Sequence, residues 1–187
     1  MRITGGKAAG VRIHAPGGGR SVRPATDRMR EAVFSSLGPD IGGARVLDLF
    51  AGTGAYGLEA LSRGAALVVW IEADRAAAAT LGRNREAVVK SMGGGGLSRV
   101  IARDLRRHPF HEDERFDLVF ADPPYAEAAE WIPAILSIAG RHLSHEPAGR
   151  LLLEIPGRDE PDTPGWICKR RFGRESAGPS LRVLERA

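Results

Sequence analysis

Asp48-Leu49-Phe50-Ala51-Gly52-Thr53-Gly54-Ala55-Tyr56-Gly57 is the stretch on which the fold turns. Before it, Val46 to Phe50 is a near-continuous apolar run broken only by Asp48. After it comes a segment carrying Leu58 and Leu61 that ends at Gly64. Read outward, this is a buried strand, a glycine-rich turn and a helix. The spacing Gly52-x-Gly54-x-x-Gly57 lets the backbone approach a ligand closely. Leu67 to Ile71 reads as the next strand and finishes on Glu72, at the distance where an acid meets a ribose hydroxyl.

The alternation continues along the chain. An alanine-rich helix is expected from about Asp74 to Ser91, then the loop Gly93 to Gly96, to which no role is assigned, and a short strand, Val100 to Ala102, before Asp104. Phe116 to Ala121 reads as the fourth strand, Ala128 to Leu143 as a helix and Leu151 to Ile155 as the fifth strand. Trp166 to Phe172 and Leu181 to Leu184, joined by a Gly/Ser/Pro turn, read as an antiparallel pair at an edge. Such alternation implies an α/β fold, a doubly wound, mostly parallel seven-stranded sheet with helices on both faces.

Upstream, Arg2-Ile3-Thr4 and Val11 to His14 flank a glycine-rich turn and suggest a β-hairpin. Gly17-Gly18-Gly19 joins it to a helix capped by Thr26 or Asp27, with Met29, Ala32, Val33 and Leu37 at helical spacing and Gly38-Pro39 as its stop. The organisation expected is an N-terminal basic hairpin arm over residues 1–22 and a main domain over residues 23–187.

With 187 residues, 43% hydrophobic and 27% charged, the chain suits one sizeable core. No apolar run approaches the roughly 20 residues that span a bilayer, and Met1-Arg2-Ile3-Thr4-Gly5-Gly6 lacks the apolar stretch of a secretory signal. A cytoplasmic monomer without membrane contact is expected. The single cysteine, Cys168, excludes an intrachain disulfide and a cysteine-built zinc site. The charge is unevenly spread: residues 1–30 hold seven basic side chains and one acid, so they carry +6 of a net +4 and residues 31–187 carry −2. A basic arm on a near-neutral body suits a polyanion.

The glycine turn admits two ligands. A nicotinamide dinucleotide fits the glycine spacing and Glu72, and would make the chain an oxidoreductase. Asp48 argues against it, because a pyrophosphate at the helix N-terminus does not tolerate a nearby carboxylate. S-adenosylmethionine carries ribose, adenine, an amine and a sulfonium, but no phosphate. Asp48 suits its amine, Glu72 its ribose and Asp104 its adenine amine. Asp48, Glu72, Asp104 and Asp122 end or nearly end four successive strands, where open α/β sheets bind ligands.

Phe120-Ala121-Asp122-Pro123-Pro124-Tyr125 closes the fourth strand. Two prolines stiffen the loop, and a carboxylate, a carbonyl and a ring face suit a flat base with an exocyclic amine. The alternative is an ordinary strand-ending turn.

At this point the chain resembles the class I S-adenosylmethionine-dependent methyltransferases, and within them the RsmD family of small-subunit (16S) ribosomal RNA guanine-N2 methyltransferases. The resemblance rests on Arg23-Pro24-Ala25-Thr26-Asp27-Arg28-Met29-Arg30-Glu31-Ala32-Val33-Phe34, on Val46 to Ala65 around the glycine turn, on Phe116 to Tyr125 and on the opening hairpin, and covers most of residues 1–125. It implies a Rossmann-like methyltransferase with Asp48, Gly52, Gly54, Glu72 and Asp104 at S-adenosylmethionine and Asp122 to Tyr125 at the target base. Ala51 and Gly57 complete the cofactor turn; Asp122, Pro123 and Tyr125 are the catalytic candidates. Ribosomal RNA or the small ribosomal subunit is the implied partner, and Arg2, Lys7, Arg23, Thr26, Arg28 and Arg30 are the candidate RNA contacts.

Rival readings use the same loop. An N6-adenine or N4-cytosine DNA methyltransferase shares the amine chemistry, but little chain is left for a recognition domain. A protein-glutamine methyltransferase usually has Asn where Asp122 stands. A non-catalytic RNA-binding assembly factor would have little use for an intact Asp-Pro-Pro-Tyr. His142-Leu143-Ser144-His145-Glu146 is not the H-E-x-x-H metal motif, and no metal is expected. His108 and His111 read as surface residues, Cys168 as core, Trp70, Trp131 and Trp166 as packing residues, and Glu59 as solvated or ion-paired.

Overall fold

The computed structural model describes residues 1–15, 27–107, 111–145, 148–157, 159–173 and 178–187. The Gly17-Gly18-Gly19 joint, Arg20, Arg23, Thr26, the 22/23 boundary, His108, Glu146 and Pro147 lie outside the described residues. Seven strands form one sheet, in the order β3-β2-β1-β4-β5-β7-β6. They are β1 (Arg45–Leu49), β2 (Leu67–Glu72), β3 (Leu97–Ala102), β4 (Leu118–Ala121), β5 (Arg150–Pro156), β6 (Trp166–Gly173) and β7 (Pro179–Arg186). The helices are α1 (Asp27–Leu37), α2 (Ala55–Ser62), α3 (Arg75–Ser91) and α4 (Ala128–His142). The chain divides into two compact units, Met1–Pro109 and Phe110–Ala187.

In the first unit β1, β2 and β3 run parallel, with Asp48 opposite Trp70 and Glu72 opposite Ala102. Val46, Leu47 and Leu49 of β1 and Val68, Val69, Trp70 and Ile71 of β2 are buried, as expected for parallel strands covered on both faces. Both α2 and α3 end in the double hydrogen bond of a Schellman motif. Gly64 N–H and Ala65 N–H donate to the Leu61 and Ala60 carbonyls, and Gly93 N–H and Gly94 N–H donate to those of Lys90 and Val89. Asp74 caps the other end of α3, accepting from Ala76 N–H at 2.8 Å and Ala77 N–H at 2.9 Å. The loop from Gly93 to Gly96 holds all four residues at positive φ, between 74° and 99°.

The opening residues form the expected hairpin, reduced to one antiparallel bridge between Arg2 and Arg12. Its tip wraps the end of α2: Lys7 N–H donates to the otherwise orphaned Ser62 carbonyl at 2.7 Å, and Ala8 N–H to Ser62 Oγ at 2.9 Å. α1 buries Met29, Val33, Phe34 and Leu37. Ala32, expected on that face, is exposed; Phe34 and Arg30 fill the stripe instead.

In the second unit β4 and β5 are parallel and β7 lies between β5 and β6, antiparallel to both. β4 is shorter than expected because Phe116 bridges Leu143, after α4, rather than joining the strand. Cys168 is exposed, not core. It sits on β6, an edge strand whose residues 167–171 are all exposed, so neither of its faces is covered. Trp70 and Trp131 are buried as packing residues, whereas Trp166 on that edge is half-exposed.

Candidate active site

The glycine turn begins with strain. Phe50 has φ 57°, a left-handed conformation that non-glycine residues rarely adopt and that gathers at functional sites. Gly54 follows at φ 80° as the cap residue of α2 and has no side chain to cap it. Asp48 takes over that duty from β1: its Oδ2 accepts from Gly57 N–H at 2.9 Å. The carboxylate is 3% exposed, and burial, opposed by the Gly57 bond and reinforced by the Glu72 charge, pushes its pKa up to about 8. The buried Trp70 indole N–H also favours the charged form, though it lies short of hydrogen-bond geometry with any described residue.

Gly57 is required for a second reason. A Cβ there would lie 2.2 Å from Trp70 Nε1 and 2.8 Å from Val68 Cγ1, so α2 packs on β2 only without one. Gly57→Ala is expected to lower the unfolding free energy by about 1–3 kcal/mol, the cost of overpacking. Urea denaturation measures it.

Four of the turn's amides, those of Ala51, Gly52, Gly54 and Gly57, are bonded inside the protein. Ala51 N–H donates to the Ile71 carbonyl at 3.0 Å, Gly52 N–H to Glu72 Oε2 at 2.8 Å and Gly54 N–H to the Ala51 carbonyl at 2.7 Å. Glu72 Oε1 also accepts from Asp74 N–H at 2.8 Å. Glu72 is half-buried at the end of β2, and each of its oxygens keeps a further lone pair. Asp104 lies two residues beyond β3, its side chain 41% exposed, with Oδ1 accepting from Arg106 N–H at 2.8 Å and Oδ2 3.6 Å from the Arg106 guanidinium. The strand ends of this unit therefore offer acceptors. They fit a ligand rich in hydroxyl and amine donors and fit a pyrophosphate poorly.

In the second unit Asp122 follows β4 and is half-buried; Pro123 is buried, Pro124 exposed and Tyr125 half-buried. A 3-10 turn, Tyr125–Glu127, closes with Glu127 N–H donating to the Pro124 carbonyl at 2.9 Å. The Tyr125 hydroxyl donates to Oε1 of Glu154 at 3.3 Å, and Glu154 is 1% exposed on β5. Sequence reasoning missed Glu154. The available signal was a lone acid inside the apolar run Leu151 to Ile155.

The basic candidates divide. Arg2, Lys7 and Arg28 are exposed. Arg30 is wholly buried, so the expectation that it touches RNA fails on geometry. Its Nη2 donates to Asp27 at 2.8 Å and to the Arg2 carbonyl at 2.6 Å, its Nη1 to Met1 Sδ at 3.0 Å, and its Nε lies 4.0 Å from Glu59. Glu59, also fully buried, is ion-paired with Arg63 at 2.9 Å and accepts from both N–H and Oγ of Thr4. Its role is to hold the hairpin on α2.

A second basic run, Lys169-Arg170-Arg171, lies exposed on β6. Glu160 pairs with Arg171 at 2.8 Å and Glu185 with Lys169 at 3.7 Å. Charges on an edge strand are a standard guard against edge-to-edge pairing. His111 is exposed, and His142 is buried with Nδ1 3.0 Å from the Glu114 carbonyl. Among the described residues no group of His, Cys, Asp or Glu is placed to hold a metal ion, and no helix is long and apolar enough to cross a membrane.

The family described as "Conserved hypothetical protein 95" matches residues 1–176. A Bacillus subtilis protein named "Putative rRNA methyltransferase YlbH" is 34% identical over 175 residues, 91% of each chain. The Escherichia coli K12 protein named "Ribosomal RNA small subunit methyltransferase D" is 41% identical over 125 residues, 67% of this chain and 60% of that protein. Among solved structures, a hypothetical protein of Thermus thermophilus is 32% identical with a TM-score of 0.76, covering 98% of both chains. A strained glycine turn and acids at the strand ends thus coincide with a match along almost the whole chain, and the protein belongs to this family, the RsmD-type S-adenosylmethionine-dependent methyltransferases.

Proposed function

We propose that the protein transfers a methyl group from S-adenosylmethionine to the exocyclic N2 amine of a guanine in small-subunit (16S) ribosomal RNA. The observation that carries the cofactor reading is the row of acids at the strand ends, Asp48, Glu72 and Asp104, beside a glycine turn in which the amides of Ala51, Gly52, Gly54 and Gly57 are bonded internally. With those N–H groups donated internally, carboxylates are what the turn and its neighbouring strands offer a ligand. The base reading is supported by Asp122-Pro123-Pro124-Tyr125, and the RNA by the name that the Escherichia coli relative carries.

The cofactor supplies an electrophilic methyl on its sulfonium. Glu72 accepts from the ribose hydroxyls, Asp104 from the adenine amine and Asp48 from the amino group, while Ala51, Gly52 and Gly54 give the backbone its close approach. The guanine amine is a poor nucleophile because its lone pair is delocalised into the ring. Hydrogen bonds from its two N–H groups to the Asp122 carboxylate and the Pro123 carbonyl fix its orientation, and Asp122 takes up the proton released on methylation. The Tyr125 ring sets the plane of the base, worth roughly 1–3 kcal/mol by analogy with single-strand binding. Positioning contributes most of the acceleration, and the displacement needs no metal. The base has to be unpaired or flipped out for its edge to be reached.

The arm of residues 1–22, with Arg2 and Lys7 exposed, and Arg28 of α1 contact phosphates in this reading, and the protein acts as a monomer. The test is incubation with isotope-labelled S-adenosylmethionine and small ribosomal subunits from cells lacking the protein, followed by nucleoside mass spectrometry. Labelled N2-methylguanosine is the expected product. Labelled N6-methyladenosine would move the activity to adenine, and no labelled nucleoside would leave a non-catalytic binding role.

A further inference from the structure

Asn84 lies on the buried stripe of α3, 1% exposed, and both donors of its side chain are used. Its Nδ2 donates to two carbonyls, His14 O at 2.9 Å and Thr53 O at 3.0 Å, while its Oδ1 accepts from His14 N–H at 2.9 Å. Toward His14 the amide behaves as a neighbouring strand would, pairing with both backbone groups of one residue. Toward Thr53 it grips the residue between Gly52 and Gly54 of the cofactor turn. Thr53 is held from its other side as well: its hydroxyl lies 3.9 Å from Met1 Sδ, and Ile13 N–H donates to the Met1 carbonyl at 3.0 Å. Both ends of the hairpin therefore close on the buried Thr53.

We propose that Asn84 is a positioning residue that couples the hairpin to the cofactor turn, so that filling the turn orders the hairpin and an ordered hairpin tightens cofactor binding. One NH2 group serves both carbonyls. Movement of the turn that draws Thr53 away has to shift the amide and loosen its hold on His14. The Asn84 side chain is buried whereas His14 is exposed, so a bond lost between them leaves the amide, rather than the His14 backbone, short of a partner. Linkage makes the effect reciprocal. The inference rests on the reading of the turn as the S-adenosylmethionine site and adds that the hairpin responds to its occupancy.

Hydrogen exchange with mass spectrometry on the full chain tests it, with S-adenosylhomocysteine as the probe. In the wild type, saturating probe is expected to slow exchange of hairpin amides such as Ile3, Gly10, Ile13 and His14 by roughly fivefold or more. Asn84→Asp keeps the size and the acceptor but loses both donors. It is expected to abolish that response and to weaken probe binding by about 3- to 10-fold. A purely structural role would speed hairpin exchange equally with and without probe, so the difference between the two states is decisive. Probe binding without a change in wild-type hairpin exchange overturns the coupling, as does a response preserved in Asn84→Asp. Should that variant not fold, the wild-type response decides by itself. Absence of probe binding to the wild type overturns the cofactor reading, a result distinct from the other two.

Discussion

Replacing Asp122 by alanine is expected to reduce methyl transfer by about a thousandfold, the scale of losing one preorganised electrostatic partner, while S-adenosylhomocysteine binds within about twofold of wild type. Asp122 follows β4 in the unit Phe110–Ala187, whereas Asp48, Glu72 and Asp104 belong to Met1–Pro109. In the proposed mechanism the substitution removes the acceptor for one amine N–H and the group that receives the released proton, and leaves the carboxylates proposed for the cofactor untouched. Single-turnover rates with saturating cofactor, alongside calorimetric titration of the probe, separate the two effects. Turnover near the wild-type rate would end the clamp mechanism. Asp122→Asn, which keeps one carbonyl acceptor but cannot take the proton, belongs between the two.

The second large effect concerns pH. Buried Asp48, with its pKa pushed up to about 8, is mostly protonated in the ligand-free protein at neutral pH. Pairing with a cationic amine requires the carboxylate. Affinity for S-adenosylhomocysteine is therefore expected to rise about tenfold per pH unit between roughly pH 5 and 7 and to level off near pH 8. Above that the ligand's own α-amino group loses its charge. Calorimetry in buffers of different ionisation enthalpy reads the accompanying proton release directly.

The same group acts on stability with a definite sign. The folded-state pKa is raised, so between about 4 and 8 the folded protein binds more protons than the unfolded chain. Its contribution is fully present below the lower limit and is lost as pH rises through the upper one. Asn at this position retains an acceptor for Gly57 N–H and does not ionise. Asp48→Asn is expected to melt higher than wild type at pH 8 in the absence of ligand, yet to bind the probe weakly and with little pH dependence. A probe affinity that follows pH as steeply in the variant as in the wild type would move the titration to another group.

Residues that end elements were the legible part of this chain. Glu72, Asp104, Asp122 and Gly64 stand where apolar periodicity stops, and local geometry alone puts them at the strand and helix ends. Side chains whose role depends on a distant partner were not legible. Arg30 has the sequence neighbourhood of a phosphate contact, but Glu59 and the Arg2 carbonyl turn it inward. Cys168 sits in a strand, beside a basic run, whose exposure follows from its place at the sheet edge. Asn84 left a faint trace, a polar residue in the stripe of Ala77, Ala78, Leu81 and Val88. Nothing near it in sequence announces that its partners are residues 14 and 53.

The loop after α3 is one to which the sequence assigned no role. Its four glycines, Gly93 to Gly96, all turn left-handed, and three of them have open space where a side chain would stand. At Gly93, Gly94 and Gly95 what disfavours other residues is therefore chirality rather than crowding, while at Gly96 a Cβ would also lie 2.5 Å from Leu61 Cδ1. An L side chain at any of the four would be mirror-mismatched to the backbone, whereas a D-alanine introduced by chemical ligation at Gly93, Gly94 or Gly95 would match it. The plainest stretch of the sequence is thus one where the backbone, not the surroundings, narrows the choice of residue.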